Sequence, residues 1–357
     1  MTTELACFIS PHGYGHATRT MALLQALRER ISGLRVQLFT TVDRELFDDL
    51  EVPFDYHQVI TDVGLVQHDA FSENRAATVV KLGELLPFDA SLVQSCAALC
   101  SGCKLILCDI SVLGIVVGRQ LQTPSILVEN FTWDWIYQQM AKQTAEDAAL
   151  LSYGRMLASC YDLADYRIQT EPLCCRRSAD LCCAPIARKQ RSTRSETRRT
   201  LGCGDRQTIL VSMGGIEVVL PFVGLLQRYP DYYFIIGARN NRALSGANLK
   251  WIAPDEAWHH PDLINGCDLL ICKSGYSTIA ECLQTDTPIC CVSRGAFAES
   301  AALEHFVENE MNATILEQRL FLNGAWLDAL PSLLARKRTR LPVNGADQAA
   351  EFICSLL

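Results

Sequence analysis

The chain has 357 residues, 49% hydrophobic and 20% charged, and 32 Lys and Arg against 40 Asp and Glu leave a net charge of −8. This length supports two domains with separate cores, the composition excludes a disordered chain, and the acidic balance argues against nucleic acid as a partner. No apolar run reaches the roughly 18 residues of a membrane helix, and no basic region precedes the first apolar stretch, so a cytoplasmic protein without a signal peptide is expected.

ELACFIS reads as a first strand, followed by a Gly-rich turn and a helix with Ala22, Leu23, Leu24 and Leu27 at helical spacing, closed by Gly33. VQLFTT, KLILCDI and PSILVEN are further strands, the latter two after helical stretches. Residues 171–190 break the alternation with Pro172 and Pro185 and lead into a basic cluster of Arg188, Lys189, Arg191, Arg194, Arg198 and Arg199. That cluster suits a solvated linker and helix face, or peripheral contact with an anionic membrane surface. The alternation restarts with QTILVSM, YYFIIG, LKWIA, DLLICK and PICCVS, and residues 345–357 carry a short amphipathic helix. Continuous apolar strands separated by helices imply α/β architecture with parallel sheets covered on both faces. The expected organisation is a Rossmann-like doubly wound domain over 1–170, a linker over 171–190, a second such domain over 191–344 and a terminal helix over 345–357. A ligand cleft is expected between the carboxyl ends of the two sheets.

Most of the 17 cysteines, among them Cys108, Cys272, Cys290 and Cys291, fall inside apolar strands, where a reduced thiol acts as a small hydrophobe. Cys96, Cys100 and Cys103 have an iron–sulfur-like C-x3-C-x2-C spacing, but at a helix end before a strand rather than in a barrel. Cys174/Cys175 and Cys182/Cys183 supply enough thiols for zinc, but adjacent cysteines chelate one ion poorly. No metal and no cofactor is expected.

The turn after the first strand runs Ser10-Pro11-His12-Gly13-Tyr14-Gly15-His16-Ala17-Thr18-Arg19. Gly13 and Gly15 allow a tight turn that offers backbone amides to an anion at the helix start. Thr18 occupies the third Gly position of a dinucleotide fingerprint, which weakens that reading. His16 begins the helix, where the dipole keeps imidazole neutral and able to accept a proton, unless the ring only caps the backbone. Asp109 ends the apolar strand KLILCD, where a carboxylate needs a partner. It is the candidate to orient His16, with a helix N-cap as the alternative.

Two strand–turn–helix units of the second half read as anion sites: Gly214-Gly215 after QTILVSM, and Ser274-Gly275 with Ser277 and Thr278 after DLLICK. Glu281 lies in the following helix, where a carboxylate suits two vicinal ribose hydroxyls.

The run from Ser274 and Gly275 through Thr278 to Glu281 resembles the donor-site signature of glycosyltransferase family 28, and Gly13 to His16 resembles its N-terminal loop. Over nearly the whole chain, HGYGHATR, DVGLVQHDA, ENFTWDWIY, KSGYSTIAE and VSRGAFAE resemble the glycosyltransferase-like N-terminal region of plant L-arabinokinases. In those proteins a sugar-kinase domain of the GHMP type follows. No kinase phosphate loop occurs here, so kinase activity is not expected. The resemblance implies the GT-B fold, two Rossmann-like domains facing across a cleft, with a nucleotide-sugar donor, most simply a UDP-sugar, in the second. It assigns the ribose to Glu281, the diphosphate to Ser274, Gly275, Gly214 and Gly215, the base to Trp251 and Ile252, and the catalytic role to His16 oriented by Asp109. After PICCVS this chain has Arg294, Phe297 and Glu299 where family 28 enzymes often carry a donor-sugar Gln, so the donor sugar is not assigned.

No D-x-D triplet for a diphosphate-bound metal occurs. The expected activity is therefore metal-independent, inverting glycosyl transfer to a hydroxyl acceptor. Acceptor contacts are expected from His12, Gln67, Asp69, Trp133 and Asp134 with Trp135, the aromatic residues being equally suited to core packing. The alternatives are a non-catalytic nucleotide-sugar-binding module and a nucleotide-sugar epimerase on the same fold.

Overall fold

The structure is a computed structural model and describes residues 2–69, 71–141, 144–214, 219–237, 246–252, 258–295, 297–336 and 343–357. It contains two compact units: residues 1–68, 73–186 and 343–357 form the first, and 69–72 with 187–342 the second.

The elements up to the second unit are β1 (Thr3–Ile9), α1 (Tyr14–Arg28), β2 (Leu34–Thr40), β3 (Phe54–Gln58), the paired short strands β4 (Gln67–Asp69) and β5 (Ser72–Glu73), α2 (Arg75–Leu85), α3 (Ala90–Leu99), β6 (Leu105–Asp109), α4 (Val112–Leu121), β7 (Ser125–Glu129), α5 (Trp133–Met140), α6 (Ala145–Tyr161), β8 (Tyr166–Thr170) and β9 (Leu181–Cys183). The first unit's sheet has seven parallel strands in the order β3-β2-β1-β6-β7-β8-β9. β1, β6 and β7 pair on both sides and are buried almost throughout, which explains their unbroken apolar sequences. β1 and β6 are neighbours although seven helices and strands, α1 to α3, separate them in sequence. Their outgoing chains part there, and the switch point opens a crevice at the carboxyl ends of the strands.

The second unit holds α7 (Arg194–Leu201), β10 (Gln207–Ser212), β11 (Tyr232–Gly237), β12 (Leu249–Ile252), α8 (His260–Gly266), β13 (Leu269–Lys273), α9 (Tyr276–Thr285), β14 (Ile289–Val292), α10 (Ser300–Glu310), β15 (Thr314–Leu316), α11 (Gln318–Leu322) and α12 (Leu330–Leu334). Its parallel sheet runs β12-β11-β10-β13-β14-β15, so the switch point lies between β10 and β13. Separate apolar clusters cover the two faces of this sheet.

The last helix, α13 (Gly345–Cys354), belongs to the first unit. Ala346, Ala349, Ala350 and Ile353 join the core that α1 and β1 build. Within the stretch expected as a linker over 171–190, β9 extends the first sheet, and residues up to 186 belong to that unit. The basic cluster is partly spent on local bonds within the second unit. Arg194 donates to the Asn265 and Cys267 carbonyls and pairs with Asp268 at 2.6 Å, and Arg198 donates to the carbonyls of Gly266, Gly204 and Arg206.

Cys96, Cys100 and Cys103 are buried at the end of α3. Burial pushes the Cys96 thiol up, and a Cys103 hydrogen bond with burial does so more strongly for Cys100. Such thiols are packing groups. Among the described residues, no three His, Cys, Asp or Glu side chains are placed to hold a metal ion, and no helix is long and apolar enough to cross a membrane.

Candidate active site

In the first unit the crevice is built by the turn after β1 and the end of β6. Gly13 caps α1 at φ 77° and ψ 173°, a conformation that only glycine adopts readily. The turn places His16 in the first helical turn. Ile110, directly after Asp109, takes a φ of 45°, unfavourable for a β-branched residue. It is held there by its N–H on the Val128 carbonyl at 3.1 Å and by the Tyr161 hydroxyl on its own carbonyl at 2.7 Å.

His16 and Asp109 meet: Nδ1 lies 2.7 Å from Oδ1, with 8% and 4% of the residues exposed. Asp109 has further partners that sequence reasoning missed. Arg19 donates through Nε to Oδ2 at 2.8 Å and through a terminal nitrogen to Oδ1 at 2.5 Å, and the Thr20 hydroxyl donates to Oδ2 at 3.2 Å. Arg19 also donates to the Asn130 side chain. Burial alone would push the Asp109 carboxyl up, but the charge of Arg19, then that of His16, and their hydrogen bonds hold it below the usual carboxylate range. An ionised Asp109 fixes the proton of neutral His16 on Nδ1 and leaves Nε2 as the acceptor.

The expected acceptor residues divide. His12 packs edge-on to Trp133 at 5.0 Å, takes the Leu65 N–H on Nδ1 at 3.4 Å and lies 3.4 Å from the Gln67 amide. Trp133 is 1% exposed among Phe131 and Tyr137, so it is core rather than an open surface. Asp134 pairs with Arg177 at 2.9 Å. The Asp69 side chain lies outside the described residues. Asp62, which stands in the DVGLVQHDA run, is a carboxyl that sequence reasoning missed. It accepts from the Ser10 hydroxyl at 2.9 Å, its Oδ2 is buried without a partner, and burial pushes it up to about 7.

In the second unit the ends of β10 and β13 flank the switch point. A Cβ on Gly214 would lie 3.1 Å from Lys273 Cε, so the lysine chain runs over this turn. Burial, helped by the charge of Arg294, lowers Lys273 to about 8. Its ammonium has no hydrogen-bond or ion-pair partner among the described residues, and sequence reasoning had used it only as the end of a strand. Gly215 lies outside the described residues. Ser274 is buried with its hydroxyl 3.4 Å from the Val292 carbonyl, and Gly275 caps α9, whose first turn contains Ser277 and Thr278. Arg294 stacks over Phe297 at 3.5 Å with Glu299 at 3.6 Å. Trp251 and Ile252 end β12.

Glu281 differs from the open carboxylate expected for it. It is 2% exposed, and both oxygens are engaged within the chain: Arg188 Nε donates to Oε1 at 2.8 Å, and His260 Nδ1 lies 2.7 Å from Oε2. Against the upward push of burial, Arg188 and His260 pull the carboxyl down to about 2. Arg188 lies in a stretch whose composition suits a solvated linker, and nothing in the sequence singles out His260.

These two units define the fold of GT-B glycosyltransferases. Spinosyn forosaminyltransferase SpnP superposes with a TM-score of 0.65 at 13% identity, covering 100% of this chain and 95% of that one. The UGT2 of Phytolacca americana, solved with UDP-2-fluoro-glucose and pterostilbene, gives 0.63 at 12% over 99% and 94%. MurG of Acinetobacter baumannii gives 0.54 at 15% over 99% of each chain. No family model matches the chain. In sequence, it is 24% identical to L-arabinokinase of Arabidopsis thaliana over an alignment 369 residues long, a match that covers 98% of this chain. The chain spans about a third of that relative's length, 34%.

Proposed function

We propose that the chain is an inverting, metal-independent glycosyltransferase that moves a sugar from a nucleoside-diphosphate donor, a UDP-sugar in the simplest case, to an acceptor hydroxyl. The observation that carries this reading is the 2.7 Å contact of His16 Nδ1 with Asp109 at the switch point of the first unit. His16 Nε2 takes the acceptor's hydroxyl proton as the oxygen bonds to the anomeric carbon. The bond from that carbon to the diphosphate breaks, and the nucleoside diphosphate leaves with the electron pair. In the second unit the amides at the start of α9 and the Lys273 ammonium suit the charge that develops on the leaving group. The donor in the Phytolacca structure is of this class, and that protein has the same fold.

Incubation with a panel of UDP-sugars, with and without hydroxyl acceptors, tests the reading. Release of UDP that depends on acceptor supports transfer. Binding of the panel without release, whatever the acceptor, would instead mark a nucleotide-sugar-binding module. Because a lysine and a helix N-terminus are assigned the leaving-group charge, release should persist in excess EDTA. A strict requirement for added Mg or Mn would exclude this mechanism.

A further inference from the structure

We infer that His260, rather than Glu281, receives a ribose hydroxyl of the nucleotide, with Glu281 and Arg188 as positioning residues behind it. The inference rests on the reading of the second unit as a nucleotide-sugar site. Four side chains form one line of contacts: Arg188 Nε to Glu281 Oε1 at 2.8 Å, Glu281 Oε2 to His260 Nδ1 at 2.7 Å, and His260 Nε2 to the Ser212 hydroxyl at 3.3 Å. They come from four places in the chain: the segment before α7, the middle of α9, the first residue of α8 and the last residue of β10.

Exposure separates their roles. The side chains of Arg188 and Glu281 are 10% and 2% exposed, whereas that of His260 is 28% exposed. A ligand therefore meets the imidazole before the carboxylate. The ionised carboxylate accepts only, so a neutral His260 carries its proton on Nδ1 and presents Nε2 as an acceptor. The present bond to Nε2, from Ser212 at 3.3 Å, is long for a hydroxyl donor and leaves capacity for a better-placed hydroxyl. Ser212 stands two residues before Gly214, over which the Lys273 chain runs. A hydroxyl-bearing group on His260 is thus held at the same strand end as the anion-attracting turn. Arg188 offsets the charge of the buried carboxylate, so the imidazole is held in place without the carboxylate reaching solvent.

Calorimetry with UDP and with 2′,3′-dideoxy-UDP tests this. The wild-type chain should prefer UDP by about tenfold, the value of one net hydrogen bond. His260→Ala should bring the ratio close to one while leaving affinity for the dideoxy analogue unchanged. His260→Gln, whose side-chain oxygen can accept at the same place, should recover part of the preference. Nitrogen NMR should show the Nδ1–H tautomer of His260 in the wild type and a mixture in Glu281→Gln, with a reduced UDP preference in that variant. An unchanged ratio in His260→Ala overturns the inference and leaves the nucleotide-site reading intact. Loss of the ratio in Glu281→Gln with the His260 tautomer unchanged also overturns it, because the carboxylate would then be reading the hydroxyl. Failure of the wild-type chain to bind any UDP removes both.

Discussion

Asp109 serves both the His16 imidazole and the Arg19 guanidinium, and that decides what its substitution should do. His16 is a ring at the crevice with one oriented nitrogen, so His16→Ala should lower turnover by about 10²–10⁴-fold, the usual contribution of a positioned base. UDP affinity and melting temperature should change little. Asp109→Asn is different, because Arg19 and Thr20 bond to the same carboxylate. Removing the anion takes the carboxylate partner from a buried Arg19, a loss of roughly 3–5 kcal/mol. The Asn variant should therefore melt well below both wild type and His16→Ala. Thermal melts alongside rates would show it, and an Asp109→Asn protein as stable as wild type would mean that the Arg19 pair is not formed. The His16–Asp109 pairing was legible because both residues end or follow apolar strands at one sheet edge. Arg19 was present in the HATR run, three residues from His16 on the same helix face, but nothing in the sequence said that it would turn inward. Glu281 shows the opposite case: its position in the motif was legible, and its burial under His260 was not. The Arg188 contact spans 93 positions, and the composition around Arg188 is that of a linker.

At the level of elements, most of the strands that were legible are buried on both sides, such as β1, β6, β10, β13 and β14, although the edge strand β12 was legible in LKWIA as well. β3, with the sequence FDYHQ, lies at a sheet edge, half-buried, and carries no continuous apolar run. β8 (YRIQT) and the three-residue β15 are similarly concealed by polar residues or by brevity. The amphipathic pattern of α13 was legible, but its destination was not. It docks against the first unit through the Gln348 side chain, which accepts from the Ala184 N–H at 2.9 Å, and through Asp347, which pairs with Arg30 at 3.1 Å. Gly345 allows this approach: a Cβ there would overlap the Ala184 carbonyl oxygen and lie 2.7 Å from its carbon. Both are backbone atoms and cannot swing aside. Gly345→Ala should therefore destabilise the protein by about 1–3 kcal/mol through overpacking. A urea-unfolding midpoint equal to wild type would mean that α13 is not seated as described.

Across the whole molecule, two buried carboxyls set opposite dependences of stability on pH. In the second unit, Glu281 is lowered from 4.5 to about 2. A depressed carboxyl stabilises the folded state fully above its unfolded value, and that stability is lost as pH falls from about 4.5 towards 2. In the first unit, Asp62 is raised from 3.8 to about 7. Its folded form keeps a proton that the unfolded chain releases, so stability declines as pH rises from about 4 to 7 and stays low above that. At about 1.4 kcal/mol per pH unit, the two effects are worth roughly 3–5 kcal/mol each. Asp62→Asn, which cannot ionise, should match wild type below pH 4 and become progressively more stable than wild type towards pH 8. Glu281→Gln should be less stable than wild type at pH 7, and the difference should narrow between pH 4.5 and 2. Urea titrations at pH 3, 5 and 8 separate the two limbs. An Asp62→Asn variant that runs parallel to wild type from pH 4 to 8 would mean that Asp62 is not held protonated in the folded chain. The partnerless Oδ2 in the core of the first unit would then need a compensating group of its own.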